Sequence, residues 1–383
     1  MGFILPFPGA AWTRIGFIAN AWSKQGHTLD VIGIFTPKSL RKRGLNNSDK
    51  VNIYNVIFSI ELFEPFGFLL NALFAFIFST FILVIKRPNK VVVSMPKGDT
   101  GLGVIMACKI LKIKCVVDYR DQWEDYAISV EKNSSVKAFH YLVKKFMLRL
   151  YSSSSAIICV TSAVKSYLEN HGIKNVKLLT NGADARVFRP VKRLRNSDDL
   201  VLVYVNGPIY YNVTLVLKAL SLLLKQNRLN LKLFFIGKMT RQIMSNISNL
   251  KIGDNVSVFG EISDHKKLSE IIAQGDIGLL PLSIDYVQSK TALPVKLFEY
   301  CACGLPVIAT ASDDSILAEL IRENNIGLTV SSSDEMKFVD AISELYMCEA
   351  FRKAAGIRAR ALVEERFDRN EIAKKYLTLL EGL

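Results

Sequence analysis

Cysteine and histidine are scarce in this chain, six and four in 383 residues. The cysteines (Cys108, Cys115, Cys159, Cys301, Cys303 and Cys348) form no Cys-x-x-Cys pair, and His27, His140, His171 and His265 supply no zinc-ligand spacing. A zinc site is therefore not expected. Few, irregular thiols in mostly apolar surroundings suit buried side chains in a reducing, cytosolic compartment. No Asp-x-Asp occurs, so an acidic pair able to hold a divalent metal against a diphosphate is missing. Low-complexity tracts and fixed-period repeats are absent. The N-terminal MGFILPFPG lacks the charged region and long apolar core of a signal peptide, and Pro6 breaks the myristoylation pattern.

Acidic charge is short in one half only. Residues 1–190 hold 25 Lys and Arg against 12 Asp and Glu, a net +13 of the chain's +14. That half is expected to meet something anionic, a membrane surface, a phosphorylated acceptor or a nucleic acid, with a merely soluble basic surface as the plainer reading.

Hydrophobic residues make up 50% of the chain, enough for two or three domains at this length. Strand-like runs fall at 2–6, 28–35, 52–59, 90–95, 114–118, 155–160 and 176–180, with a loop around Gly9, a helix at 10–25 and helical patterns between several of the strands. Residues 186–199 are charged and aperiodic and read as a linker. A second alternating set follows: strands at 200–205, 231–236, 255–259, 276–280, 305–309 and 326–330, and helices at 212–225, 240–248, 264–273, 294–303 and 314–323. The tail from 334 reads as helices. Alternation of this kind predicts α/β architecture with doubly wound, mostly parallel sheets.

The segment richest in chemistry is SKTALPVKLFEYCACGLPVIAT, residues 289–310. Pro294 suits a first helical turn, where its missing N–H costs nothing. A helix N-terminus offers free N–H groups and a positive dipole end, a ready anion site. Lys296 adds charge where helix stability alone disfavours it. Glu299 follows about one turn on, and Gly304 has the character of a C-terminal cap. An ordinary capped helix feeding a buried strand is the plainer reading of these residues.

Pro294, Lys296, Glu299, Tyr300, Gly304, Pro306, Val307 and Ile308 together resemble the donor-binding signature of the family 4 glycosyltransferases. VYVNGPIYYN (203–212), FFIGK (234–238), VSVFGEIS (256–263), DIGLLPL (276–282), VVDYRDQW (116–123), VTSAVKSYL (160–168) and NGADARVF (181–188) match further family patterns in order. The resemblance implies a GT-B fold, two Rossmann-like doubly wound domains facing a central cleft, with a C-terminal helix crossing back to the first. Its bounds would be 1–188 for the acceptor-side domain, 189–365 for the nucleotide-sugar domain and 366–383 for the helix. It implies a donor site of Gly9, Asn206, Gly207, Gly237, Lys238, Gly260, Ile262, Leu293, Pro294, Lys296 and Glu299. Asp121, Arg120 and Thr291 would be catalytic.

Departures stand beside it. Thr291 occupies a position where many members carry Glu. Arg120 stands where many have His, with Asp121 after it, and Asp118 and Asp121 could instead be structural caps. The loop 206–213 holds no Lys or Arg, which leaves Lys296 and Lys238 to meet the phosphates. The implied activity is retaining glycosyl transfer from a nucleotide sugar to a lipid-linked or envelope glycan, without metal, cofactor or nucleic acid. A non-catalytic sugar-nucleotide binder or partner protein is the alternative. A third reading is an NAD(P)-dependent enzyme, from Gly101-x-Gly103-x-x-x-Ala107 followed by Asp118. Against it, five residues separate the strand ending at Met95 from Gly101, whereas the fingerprint wants its first glycine in the tight turn.

Residues 66–85 run twenty positions without a charge, long enough to span a bilayer. Gly67, Asn71, Ala75 and Ser79 recur every fourth residue, and Phe and Leu fill the other faces. The flanking strands at 52–59 and 90–95 are read as parts of one sheet, which argues against spanning. The pattern predicts a helix with its small face on the domain and its aromatic faces in lipid; burial in the core or a span are the alternatives. In 137–151, Phe139, Leu142, Val143, Phe146, Met147 and Leu150 form one stripe beside Lys137, Lys144, Lys145 and Arg149, and Lys38, Arg41, Lys42 and Arg43 add a basic cluster. The protein is accordingly expected at the cytoplasmic face of a membrane, peripherally bound.

Overall fold

The computed structural model describes residues 10–35, 51–95, 98–192, 199–207, 211–226, 229–285 and 288–383. Contacts divide the chain into two compact units, Met1–Thr180 with Asn370–Leu383, and Asn181–Arg369. The strand expected at 2–6, Gly9 and the basic cluster at 38–43 lie outside the described residues.

The first unit runs α1 (Ala10–Lys24), β1 (Leu29–Phe35), β2 (Val51–Phe58), α2 (Phe66–Lys86), β3 (Lys90–Met95), α3 (Gly98–Ile110), β4 (Lys114–Tyr119), α4 (Trp123–Val130), α5 (Ser134–Ser152), β5 (Ala156–Cys159), α6 (Ser162–Asn170) and β6 (Val176–Leu178). Strands β3 to β6 form a parallel sheet in chain order, and β1 pairs in parallel with β2. Among the described residues no ladder joins 52–59 to 90–95, and the strand expected at 2–6 lies outside them.

The second unit runs β7 (Leu200–Val205), α7 (Val213–Lys225), β8 (Leu231–Ile236), α8 (Arg241–Leu250), β9 (Val256–Val258), α9 (His265–Ile272), β10 (Ile277–Pro281), α10 (Val295–Ala302), β11 (Val307–Thr310), α11 (Ile316–Glu323), β12 (Gly327–Val330), α12 (Glu335–Met347) and α13 (Glu349–Leu362). Its six strands are parallel, in the order β12-β11-β10-β7-β8-β9. Strands β10 and β11 are buried throughout, and β7 up to Tyr204, which explains why they read as unbroken apolar runs. The order reverses between β7 and β10. In open sheets of this kind, ligands bind beyond the carboxyl ends of the strands at that switch point.

The first division falls at Thr180 rather than at 188 because Ala183, Ala185 and Phe188 belong to the second unit's core, Phe188 with no exposed surface. The Ala183 N–H donates to the Phe367 carbonyl, and the Arg369 N–H donates to Ala183. The stretch at 186–199 is thus not a free linker at its start. The last helix, α14 (Arg369–Glu381), lies almost wholly in the first unit. There Ala373, Tyr376, Leu377 and Leu380 pack with Ile18 and Trp22 of α1, and the Trp22 indole N–H donates to the Ala373 carbonyl at 2.9 Å.

Helix α2 buries Gly67, Asn71, Ala75 and Ser79, the small face that the spacing predicts. Asn71 holds it in register by pairing with both the N–H and the carbonyl of Ile60. Helix α3 packs on α2 through Gly103, where a Cβ would stand 2.3 Å from the Ala72 carbonyl oxygen and 2.6 Å from the Phe76 nitrogen. Gly101 meets the Met95 sulfur in the same way. Both glycines lie inside a helix and serve close packing, so the dinucleotide pattern has no strand-to-helix turn to sit in. By length and composition α2 could cross a membrane. Its outward residues include Phe66, Leu69, Leu73, Ile77, Phe81 and Ile85, all exposed. The stripe on α5 is divided: Met147 and Leu150 are buried, whereas Leu142 and Phe146 are exposed.

Candidate functional site

In the second unit the switch point is built around α10. Pro294 is its N-cap, in an extended conformation, rather than a residue of the first turn. The helix ends in a pair of reversed hydrogen bonds, Gly304 N–H to Cys301 and Leu305 N–H to Tyr300, with Gly304 at φ +75°. Only glycine adopts that conformation without strain, which explains the residue. Tyr300 fixes the helix to the sheet. Its hydroxyl accepts the Val205 N–H at 2.8 Å, at the last residue of β7, and its ring fills the space a side chain at Gly278 would need.

Lys296 projects from the first turn of α10. Its Nζ is buried, has no hydrogen-bond partner, and sits 3.9 Å from the centre of the Tyr211 ring. A Cβ on Gly207 would come within 2.4 Å of that nitrogen. Gly207 thus leaves the loop after β7 open to Lys296. Burial pulls the ammonium down to about 7, only partly opposed by Glu299. One turn on, Glu299 is buried, and desolvation pushes its carboxyl up to about 7 against the attraction of Arg369 and Lys296. An unpaired buried ammonium is costly unless an anion completes it. The first-turn N–H groups of α10 point the same chemistry at the same place.

Three neighbouring loops converge on the ends of β7, β8 and β9. The Asn206 amide donates to the Lys238 carbonyl at 3.0 Å and accepts from the Gly207 N–H at 2.9 Å. Gly237, at φ +126°, packs against Asn206 and donates to the Gly260 carbonyl; Gly260 stands at φ +64°. Asn206, Gly207, Gly237, Lys238 and Gly260 are therefore one connected set. Ile262 packs on the core beside it, and the Lys238 side chain is exposed. Leu293 is buried just before α10, and Thr291 lies in the preceding turn, its N–H donating to the Gln288 carbonyl.

In the first unit Asp118 is no helix cap. It takes a two-pronged ion pair from Arg14, at 3.0 and 3.1 Å, and Arg14 also donates to the Leu179 and Thr180 carbonyls. That clasp ties α1 to the ends of β4 and β6. Arg120 follows β4, and its Nε donates to the Met95 carbonyl at 2.7 Å. Burial lowers its affinity for the proton, and burial raises that of Asp121 beside it. Asp121 precedes α4 and its N-cap, Gln122.

Sequence reasoning did not single out three residues of these arrangements. Arg369, which bears on Glu299, and Tyr211, under Lys296, carry no motif of their own. Tyr300 was quoted, but its bond to β7 has no sequence signal. Glu124 is a buried carboxyl, raised to about 7 by desolvation, that accepts from the Tyr119 and Tyr151 hydroxyls. Its position after Asp121 in a short helix gives no hint of this. Among the described residues no cluster of three potential metal ligands occurs.

A model of the group 1 glycosyl transferases matches residues 184–362, and a model of glycosyltransferase family 4 matches residues 11–187. The amylovoran biosynthesis glycosyltransferase AmsK of Erwinia amylovora is 27% identical over 147 residues, 38% of this chain and 35% of that protein. The match thus spans about a third of the relative's length. Two solved structures resemble the whole chain. WaaG, a glycosyltransferase involved in lipopolysaccharide biosynthesis, has a TM-score of 0.72 at 16% identity, covering 100% of this chain and 99% of its own. Anabaena Alr3699/HepE in complex with UDP-glucose has a TM-score of 0.70 at 15% identity, covering 100% and 99%. The fold is GT-B, and the chain belongs to the group 1, family 4 glycosyltransferases.

Proposed function

We propose that this chain transfers a sugar from a nucleotide sugar to a lipid-linked or envelope glycan, with retention and without metal, at the cytoplasmic face of a membrane. The observation that carries the reading is the buried, unpaired Lys296 ammonium at the first turn of α10, beside the switch point of the second unit. HepE, a structure of the same fold, binds UDP-glucose, which supports a nucleotide sugar here, and AmsK is a glycosyltransferase of amylovoran biosynthesis, which supports sugar transfer.

In the reaction, the bond between the sugar's anomeric carbon and the diphosphate oxygen breaks. A bond forms from that carbon to an acceptor hydroxyl oxygen, and the hydroxyl proton ends on the released diphosphate. Lys296 and the α10 N–H groups stabilise the charge that develops on the leaving diphosphate. Asn206, Gly207, Gly237, Lys238, Gly260, Ile262, Leu293 and Pro294 line the donor, and Glu299 holds a ribose hydroxyl. Thr291 meets the sugar, and Arg120 and Asp121 serve the acceptor. The exposed apolar face of α2, with the basic excess of residues 1–190, supports attachment to anionic lipid. A silent sugar-nucleotide binder is the second reading, favoured by Thr291 and by the absence of a basic residue in the loop 206–213.

The two readings separate in a transfer assay. The full chain is incubated with a panel of radiolabelled nucleotide sugars, bacterial membrane extract and excess EDTA, and label is followed into the extract. Label moving from one donor, lost in Glu299→Ala, supports the transferase. Donor binding without transfer leaves the silent binder. Loss of transfer with EDTA, restored by Mn²⁺ or Mg²⁺, contradicts the metal-independent reading. The anomeric configuration of the product, by NMR, decides retention.

A further inference from the structure

The loop 206–213 brings no lysine or arginine to the donor site. What it brings to Lys296 is a ring. Tyr211 turns its aromatic face to the ammonium, with Nζ 3.9 Å from the ring centre, and among the described residues that nitrogen has no hydrogen-bond partner. The face of an aromatic ring is the negative part of its quadrupole, and it attracts a cation most strongly where water is excluded.

The ring is fixed by its own backbone. Tyr211 forms an isolated antiparallel bridge with Leu282, and the Asn212 N–H donates to the Pro281 carbonyl at 2.7 Å, which fastens the loop to the end of β10. The Asn212 side chain accepts the Leu215 N–H at 3.1 Å and so caps α7. Tyr211 itself is buried. A Cβ on Gly207 would stand 2.4 Å from the Lys296 Nζ and 2.6 Å from the Tyr211 ring. The ammonium and the ring thus both lie against the bare Cα of Gly207. Glu299 is the charged group that acts on the ammonium, from one turn further along α10, and Arg369 acts on Glu299 in turn. Neither brings the ammonium to the loop; the ring does.

We propose that Tyr211 is a positioning residue for Lys296: its ring face holds the ammonium beside Gly207, aimed at the donor's diphosphate, in a loop that brings no cation of its own. This rests on the nucleotide-sugar reading of the site. A leucine at 211 would still exclude water but has no quadrupole, and that difference separates positioning from packing.

Two measurements on the full chain test it. The first needs no ligand. Lysine labelled with ¹³C at Cε is titrated by NMR, the Lys296 signal being the one absent from Lys296→Ala. Every protein in this arm carries Glu299→Gln, so that one member of the pair titrates. Tyr211→Leu should lower the proton affinity of Lys296 by about threefold or more, and Tyr211→Phe should hold it within about twofold. A Tyr211 that only packs leaves the midpoint in place in Tyr211→Leu, and that result overturns the proposal. An equal drop in Tyr211→Phe overturns it too, since the ring would then not be the agent. The second measurement follows inorganic diphosphate by calorimetry at pH 7 with Glu299 intact. Lys296→Ala should weaken it by about tenfold or more, and Tyr211→Leu by about threefold or more, with Tyr211→Phe close to the wild type. Gly207→Ala keeps both side chains but denies them their shared space, and it should weaken diphosphate as well. Undiminished binding in a folded Gly207→Ala protein overturns the proposal even where Tyr211→Leu fails to fold. Diphosphate binding that ignores Lys296→Ala defeats the donor-site reading itself. Binding lost in Lys296→Ala, with the Lys296 titration unmoved in Tyr211→Leu, defeats the role of Tyr211 alone.

Discussion

Lys296 concentrates the chemistry of the second unit in one atom. Removing its charge-assisted contacts, each worth about 1.5–3 kcal/mol, predicts roughly tenfold or greater weakening of nucleotide-sugar binding in Lys296→Ala by calorimetry. Its protonation adds a pH dependence. In the free protein burial holds Lys296 at about 7, and a bound diphosphate raises it, so the complex carries a proton that the free protein loses above pH 7. Glu299 ionises near the same pH, so the Lys296 effect is read above about pH 8, where affinity for a nucleotide sugar, whose diphosphate does not titrate in this range, should fall as pH rises. Flat affinity in Glu299→Gln from pH 6 to 9 would remove Lys296 from the phosphates. Lys296 and Glu299 were legible because one short helix carries both within a contiguous motif. Arg369 and Tyr211 were not, because each reaches the site from a distant part of the chain, and no local spacing records a tertiary approach. Asp118 was ambiguous for the same reason, since Arg14 sits far upstream.

Among the elements, the α2–α3 contact shows how one pattern served two readings. A glycine pair after a strand suggests a cofactor turn; here it lets two helices touch. Gly103→Ala should destabilise the protein by about 1–3 kcal/mol in denaturant unfolding, because its Cβ would strike α2 backbone rather than a movable side chain. Gly253→Ala, with nothing within 4 Å of the new methyl, should stay within about 0.5 kcal/mol of the wild type. Equal effects would mean that the close approach carries no energy. The spacing of Gly67, Asn71, Ala75 and Ser79 located the buried face of α2 correctly, since period-four small residues leave little else for a helix to pack with. The short helix α4 escaped, because eight residues carry too few turns to show a period.

For the molecule as a whole, the two alternating sets fixed the expectation of two α/β units, and parallel order in each follows from helices too long for hairpins. Their division at Thr180 was less visible, because the core role of Phe188 in a charged stretch has no signal in composition. The charge asymmetry gives a measurable consequence. Sedimentation with anionic vesicles should weaken at high salt, since charge attraction is screened within about 8–10 Å, but persist through the apolar face of α2. Leu73→Ser with Phe81→Ser, both exposed, should make the remainder salt-labile without lowering stability. A wild-type protein that stays in the supernatant at low salt would deny the membrane assignment.

The central claim is that the second unit holds a nucleotide sugar at Lys296 and Glu299. Its most direct test is calorimetric titration of the purified full chain against a panel of nucleotide sugars and free nucleotides in EDTA, with Lys296→Ala and Glu299→Ala alongside. The account predicts that at least one nucleotide sugar binds at one site per chain, and that each substitution weakens it while the proteins remain folded. Binding of no nucleotide sugar by the wild type, or undiminished binding by both folded variants, would contradict it.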